Sequence, residues 1–294
     1  MRQEPQPVIG KSWARARLRR VALIATLLLA LTIVLYSSQI RFATSDTKIT
    51  PITFSKGRGT YKLQNPNGIR QIDSEPDWSQ GGQPSVIDHE LSSKRSGFFV
   101  EVGGLDGEEF SNTLFFEKNR DWDGLLIEAN PYTYRQMLKK DRRCYMAHHC
   151  ISSDVAAMTF KVAGAVTSAI ETMSKKHAER ISKDIPVYGH HSTWQGSGSL
   201  VTTQCTTLNA LMRRIGRTHI DFFSLDVEGA ELHILKSIDF RTLSFDLVLI
   251  EIQEHREEIK NFMESQGFKH VQELSNVSND DLYKFLPEDD WKGS

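Results

Sequence analysis

From about Gln80 onward the sequence alternates short apolar runs with segments of helical character, and this alternation constrains the fold more than any other feature. Phe98–Gly103 (FFVEVG), Gly124–Ala129 (GLLIEA), Ile220–Asp226 (IDFFSLD) and Phe245–Ile252 (FDLVLIEI) are too short for helices and almost continuously apolar. Such runs read as strands buried on both faces. Helical segments follow them: Ser111–Asn119, Asn130–Lys140, Ala230–Ile238, and Glu254–Gln266 stopped by Gly267. Asn130 is placed to cap its helix and Pro131 occupies the first helical position. Strand and helix in alternation predict a parallel sheet covered by helices on both faces. Phe268–Leu274 and Leu282–Leu286 have no helix between them, so they are expected to close the sheet as an antiparallel hairpin. Between the halves, Cys144–Ile151 reads as a third strand, Ala157–Val162 as a further strand, and Ser168–Lys183 as a helix. Residues 184–199 read as a Gly/Ser/His-rich loop, Leu200–Cys205 as a strand, and Thr207–Ile215 as a helix stopped by Gly216.

The chain before this pattern has a different character. The formal net charge of 294 residues is −1, against a dedicated nucleic-acid binder, which carries a basic excess. The balance is uneven: residues 1–20 carry +5 and the remainder −6. The basic stretch abuts the run Val21–Tyr36, extended without charge to Ile40. Twenty uncharged residues match the roughly 20 needed to span a bilayer. A signal peptide cleaved at Ala43-Thr44-Ser45 is the competing reading, but that site lies far from the apolar run and the basic leader is long. The expected organisation is a cytoplasmic tail at 1–20, a transmembrane signal anchor at 21–40, a lumenal stem at 41–79 and a globular domain at 80–294. Basic residues stay cytoplasmic, so the topology is type II and single-pass. Asn276-Val277-Ser278 is a glycosylation acceptor. Cys144, Cys150 and Cys205 all lie beyond the anchor, where disulfides form. Cys150–Cys205 is the expected pair. Cys144 and Cys150 would sit about 20 Å apart on one extended strand, beyond the reach of a bridge.

Ligands of such sheets bind beyond the C-terminal strand ends. The turn after the first buried strand contains Glu101, Gly103, Gly104, Asp106 and Gly107. Its glycines allow close backbone approach. The pattern fails the G-x-G-x-x-G fingerprint, and its acids would repel a pyrophosphate. A sulfonium and an ammonium would be attracted, which favours S-adenosylmethionine over a dinucleotide. Glu128, at the end of the second strand, is placed to accept hydrogen bonds from ribose hydroxyls. Ser153-Asp154 follows the third strand, so Asp154 is a candidate for the adenine edge. Asp226 and Glu228 end the fourth strand, where either can orient an acceptor hydroxyl or act as a base. Helix capping is the competing role for Glu228 and Glu231.

A doubly wound, Rossmann-like and mostly parallel sheet with a C-terminal antiparallel hairpin is the arrangement of S-adenosylmethionine-dependent methyltransferases. The segments "FFVEVGGLDGEEFSNTL", "GLLIEANP" and "DFFSLDVEGAELHILKSIDF" resemble the FkbM-type methyltransferase domain. "GGQ" (Gly81–Gln83) and "CTTLNALM" (Cys205–Met212) resemble its metazoan Star-like branch. Glu101 stands where the family's Asp-x-Gly turn has its Asp, while the Asp-x-Glu-Gly-x-Glu motif is intact. The resemblance implies an O-methyltransferase that uses S-adenosylmethionine and acts on a glycan, lipid or protein. Its Star-like part implies instead a non-catalytic cargo-binding factor for membrane-bound growth-factor precursors. It also implies a type II protein of the endoplasmic reticulum or Golgi membrane, with the plasma membrane or endosome as further stations. The expected partners are the membrane and a lumenal acceptor or cargo protein, with no nucleic acid.

Other chemistries find less support. Asp121-Trp122-Asp123 resembles a metal–sugar-nucleotide triplet, but it precedes its strand and so falls at the wrong end of the sheet. His148-His149 and His190-His191 lack zinc-site spacing. No metal is assigned from the sequence.

Overall fold

The computed structural model describes residues 53–57, 77–274 and 279–286. The basic leader, the apolar run 21–40 and Asn276 lie outside the described residues, so the anchor, topology and glycosylation expectations do too. Among the described residues no helix is long and apolar enough to cross a membrane.

In chain order the elements are β1 (Ser55–Lys56), α1 (Gln83–Glu90), β2 (Phe98–Val102), α2 (Leu114–Asn119), β3 (Asp123–Ile127), α3 (Pro131–Met137) and β4 (Tyr145–Ala147). Next come β5 (Cys150–Ile151), β6 (Ala157–Lys161), β7 (Ser168–Ala169), α4 (Lys175–Tyr188), β8 (Leu200–Thr206) and α5 (Leu208–Ile215). The chain continues through β9 (His219–Leu225), α6 (Glu231–Lys236), β10 (Ser244–Glu251), α7 (Arg256–Ser265), β11 (Phe268–Leu274) and β12 (Asp280–Phe285).

Eight strands form the main sheet in the order β1-β4-β3-β2-β9-β10-β12-β11. The centre, β4-β3-β2-β9-β10, is parallel. The expected hairpin is present, with β12 inserted between β10 and β11 and antiparallel to both. Successive side chains of a strand point to opposite faces. Phe98, Val100 and Val102 therefore join Phe223, Leu225, Leu211 and Ile259 in one core, under α5, α6 and α7. Phe99 joins Phe116, Met137, Phe222 and Leu249 in the other, under α1, α2 and α3.

Four differences from the sequence reading have local causes. Cys144–Ile151 is two strands: Tyr145–Ala147 pairs with β3, then Cys150–Ile151 turns away to pair with β8 in a second sheet ordered β5-β8-β6-β7. Ser168–Ala169 is a strand rather than a helix start, because it pairs with β6 and buries Ala169 beside Phe160. The helix begins at Lys175, where the Ser174 hydroxyl accepts from the His177 N–H (3.1 Å). It then runs through Pro186 into the segment read as a loop, and its Ile181 is buried with Val166 and Trp194. Finally, Ser55–Lys56, in the segment read as stem, forms the sheet edge on β4, with Lys56 bonded to Asp123 (2.6 Å).

Cys150 and Cys205 face each other in the β5–β8 ladder and are joined by a disulfide, while Cys144 is free and buried. The bridge closes a loop with a sequence separation of 55 residues. Chain-entropy arithmetic for such a loop gives about 4 kcal/mol. Replacing Cys205 by alanine should therefore lower the unfolding free energy by about 2–5 kcal/mol in a urea titration. A shift below about 1 kcal/mol would mean that the unfolded chain is not constrained by this link.

Candidate functional site

The C-terminal ends of β2, β3 and β9 open into a cavity of about 690 Å³, within the range of small-molecule sites. The turn after β2 forms its floor, and Ile151, Met158 and Phe160 of the second sheet form an apolar wall. Arg180, Asp184 and Tyr188 of α4 form the opposite rim. Their spacing of four residues places all three on one helix face.

Gly103 has a φ of +89°, and a Cβ added there would lie 1.7 Å from the Asp226 carbonyl oxygen. Glycine is thus required by the approach of two chain segments, not by ligand space alone. The N–H groups of Gly103 and Gly104 both donate to the Ile127 carbonyl (3.0 and 3.1 Å), tying the turn to β3. Gly104 lines the cavity. Gly107 does not; it packs on Met137, and its carbonyl accepts from Arg142.

Glu128 lies just past the end of β3 and is only 7% exposed. Its two oxygens accept from the Leu105 N–H (2.8 Å) and the Asn130 N–H (2.7 Å). It therefore joins the glycine turn to the cap of α3. The Thr133 hydroxyl and the Ala129 N–H also bond to this carboxylate, so a ribose hydroxyl would share its oxygens with four protein donors. Burial pushes its pKa up to about 7, against the bonds from Asn130 and Leu105, which lower it. Above the unfolded value of 4.5 the unfolded chain loses this proton first. The folded state is then progressively disfavoured as pH rises to about 7, and the loss is constant above that. The expected cost is about 3 kcal/mol. Urea titrations from pH 5 to 8 should show stability falling with pH, and Glu128→Gln should make that slope shallower, while Glu228 and Glu231, raised to about 8 and about 7, keep the rest of it. An unchanged slope in the variant would remove Glu128 from its sources.

Glu101 faces the cavity, but its carboxylate is already engaged. It accepts from the Ser111 hydroxyl (2.9 Å), the Asn112 N–H (2.8 Å) and the Thr113 hydroxyl (2.5 Å). Beneath that loop lies Arg142, fully buried and bonded to Glu117 (2.9 Å), the Thr113 hydroxyl (3.1 Å) and the Gly107 carbonyl.

At the end of β9, Glu231 and Glu228 take different roles. Glu231 holds the turn by accepting from the Gly229 N–H (2.9 Å) and the Val227 N–H (3.4 Å). Glu228 has a φ of +57° and lines the cavity, with Arg180 at 3.2 Å and His177 at 3.5 Å. Asp226, Glu228 and Glu251 bring one carboxylate oxygen each to within 4.8 Å of the others. Burial and the neighbouring charges of Glu251, Glu228 and Asp280 push Asp226 well above the usual carboxylate range. Burial and Glu251 push Glu228 up to about 8.

The cavity thus gathers Glu101, Gly103, Gly104, Glu128, Asp226 and Glu228, and leaves out Gly107 and Asp154. Asp154 is exposed on the turn after β5, where Ser152 accepts its N–H (3.1 Å). The adenine-edge contact expected of it is therefore not part of the cavity, where Cys150 and Ile151 line that stretch of the chain because it leaves the main sheet there. Asp121-Trp122-Asp123 sits at the far end of the sheet with Trp122 in the core. Sequence reasoning missed Glu251, although it ends a buried strand just as Asp226 follows one. It also missed Arg180 and Arg142, for which no local pattern exists.

Seven carboxylates line the cavity, and Arg180 is the only lysine or arginine among the lining residues described. A pyrophosphate is excluded on charge, and a sulfonium nucleoside fits. A hairpin-terminated doubly wound sheet, a glycine turn after its first central strand and a buried acid after its second define the class of S-adenosylmethionine-dependent methyltransferase domains. Residues 101–286 match the Methyltransferase FkbM domain model, and the chain belongs to that family. Its cofactor is S-adenosylmethionine. A search of curated proteins gives no match. Among solved structures, precorrin-6y C5,15-methyltransferase from Geobacter metallireducens is similar at 9% identity and TM-score 0.32, covering 69% of this chain and 87% of that one. TrmK of M. capricolum in complex with S-adenosyl-homocysteine is similar at 10% identity and TM-score 0.32, covering 69% and 71%. TYW2 of M. jannaschii in complex with AdoMet gives 10% identity and TM-score 0.27, covering 73% and 80%. The family assignment rests on the domain match and not on these distant likenesses.

Proposed function

We propose that the protein is an O-methyltransferase acting on a hydroxyl or carboxyl of a glycan, lipid or protein. The observation that carries this reading is the convergence of Gly103, Glu128, Asp226 and Glu228 on one acid-lined cavity. When bound, S-adenosylmethionine supplies an electrophilic methyl group. Gly103 and Gly104 let the chain approach the nucleoside closely, and the Glu128 carboxylate holds its ribose. Asp226 or Glu228 orients the acceptor and takes its proton, a role that suits carboxylates held above their ordinary pKa. The α4 rim supplies Arg180 and Tyr188 for the remainder of the acceptor.

In this proposal the domain is lumenal in a type II, single-pass protein of the endoplasmic reticulum or Golgi membrane. The Cys150–Cys205 disulfide supports an oxidising compartment, and the +5 leader before an uncharged run supports the orientation. Protease protection on microsomes should leave a C-terminal tag shielded and digest an N-terminal one.

The Star-like, cargo-binding reading is favoured by one observation: Glu101 spends its carboxylate on Ser111, Asn112 and Thr113. Calorimetric titration of the full chain with S-adenosylmethionine and S-adenosylhomocysteine separates the two. Saturable binding, weakened by about 1.5–3 kcal/mol in Glu128→Ala, supports the enzyme. A folded protein with no binding at millimolar cofactor leaves the scaffold reading in its place.

A further inference from the structure

Asp226 and Glu251 lie on one face of the main sheet for a reason visible in the strand register. Glu101, Ser224, Leu249 and Leu282 form one cross-strand row. Two residues further on, the next row holds Asp226, Glu251 and Asp280, with Asp280 bonded to Gln83 of α1 (2.8 Å). Glu228 reaches the same place from the turn after β9, where Arg180 holds it. The three carboxylate oxygens of Asp226, Glu228 and Glu251 lie within 4.8 Å of one another. Oxygen ligands of hard cations sit about 2.0–2.6 Å from the ion, so the larger cations fit this separation directly and magnesium fits after a small side-chain shift.

A second observation is independent of these acids. Asn112 is 8% exposed and lines the same cavity, and its Oδ1 is buried without a hydrogen-bond partner among the described residues. Its Nδ2 donates to Ser224 (3.1 Å), one row before Asp226 on the same face. That step is about 6.6 Å along the strand. A buried acceptor without a donor is costly, and a polarised water supplies the donor. The other acidic group, His219, Asp221 and Asp246, differs because Lys94 already pairs with both of its aspartates.

We propose that Asp226, Glu228 and Glu251 bind one hard divalent cation, magnesium, manganese or calcium, with Asn112 accepting from a water on the ion. An all-oxygen donor set selects these ions over zinc and copper. Held at the acceptor end of the cavity, the ion places and polarises an acceptor hydroxyl. That use rests on the methyltransferase reading, while the binding itself does not.

The test is titration of the full chain, purified in detergent and stripped with a chelator, with MgCl2, MnCl2 and CaCl2. Bound manganese is also read by its paramagnetic resonance. One ion per chain is expected. Asp226→Asn and Glu251→Gln should each weaken it by about tenfold or more, the loss seen even for supporting residues of metal sites. Asp246→Asn should leave it unchanged. No uptake by folded wild type at about 10 mM, above the weak end of such sites, overturns the proposal, as does wild-type affinity in Asp226→Asn. If S-adenosylhomocysteine binds and no ion does, the cation proposal falls and the methyltransferase reading stands. If an ion binds and neither nucleoside does, the outcome is reversed.

Discussion

Replacing Gly103 by alanine should destabilise the domain by about 3 kcal/mol or more and abolish cofactor binding. Two independent costs add. The residue has a φ of +89°, where a non-glycine costs about 1–3 kcal/mol. The added Cβ would also stand 1.7 Å from the Asp226 carbonyl oxygen, and that atom belongs to a backbone bonded to Val102 (3.0 Å). Forced repacking costs a further 1–3 kcal/mol or so. Relief requires β2 and β9 to part at the point where the cofactor turn and Asp226 meet. Gly216→Ala is the control: its φ is +80°, but nothing lies within 4 Å of the added atom. It should cost only about 1–2 kcal/mol and leave calorimetric binding intact. Equal losses in the two variants would reject the steric argument.

Arg142→Met should cost about 3–5 kcal/mol, the range for breaking a buried ion pair from one side. Arg142 and Glu117 are both fully buried and bonded at 2.9 Å. Without the guanidinium, Glu117 keeps the Arg143 N–H bond (2.6 Å) but loses its buried counter-charge, and the Gly107 carbonyl and Thr113 hydroxyl lose a donor. Arg142→Lys should not rescue the fold, because an ammonium cannot reproduce the planar fork. Arg142→Met combined with Glu117→Leu should recover about half of the loss or more, since an apolar pair can replace a buried ion pair. Denaturant midpoints across this cycle decide the matter. Additive losses would show that the two residues act separately. Because Arg142 grips both ends of the 107–113 loop, cofactor affinity should fall with stability in the single variant.

The central strands were legible because burial on both faces leaves a continuous apolar run, as in Phe98–Val102 and Ser244–Glu251. Helix starts were legible where a cap residue announces them: Asn130 accepts from Tyr132 and Thr207 from Ala210. The region 157–199 was read less well. Ser168–Ala169 is a strand only because β6 lies beside it, and α4 passes through Pro186 because Ile181 has a core to enter. A two-residue edge strand such as Ser55–Lys56 has no periodicity to detect; its partner, β4, defines it.

The same division runs through the site. Gly103, Glu128 and Asp226 stand at the ends of strands that the sequence marks, so their position on one edge followed from strand direction alone. What each carboxylate does was decided by its neighbours. Glu101 is spent on a loop, Glu231 on a turn, and Glu228 turns into the cavity toward Arg180. Asp154 was lost because the chain leaves the main sheet at Cys150 for β8. By itself the sequence determined the central strands, most of the helices that follow them and the closing hairpin, because periodicity and caps act within a few residues. Only the tertiary structure decided which acids remain available and what faces them, because hydrogen bonds and charge pairing join residues such as Glu228 and Arg180, far apart in the chain.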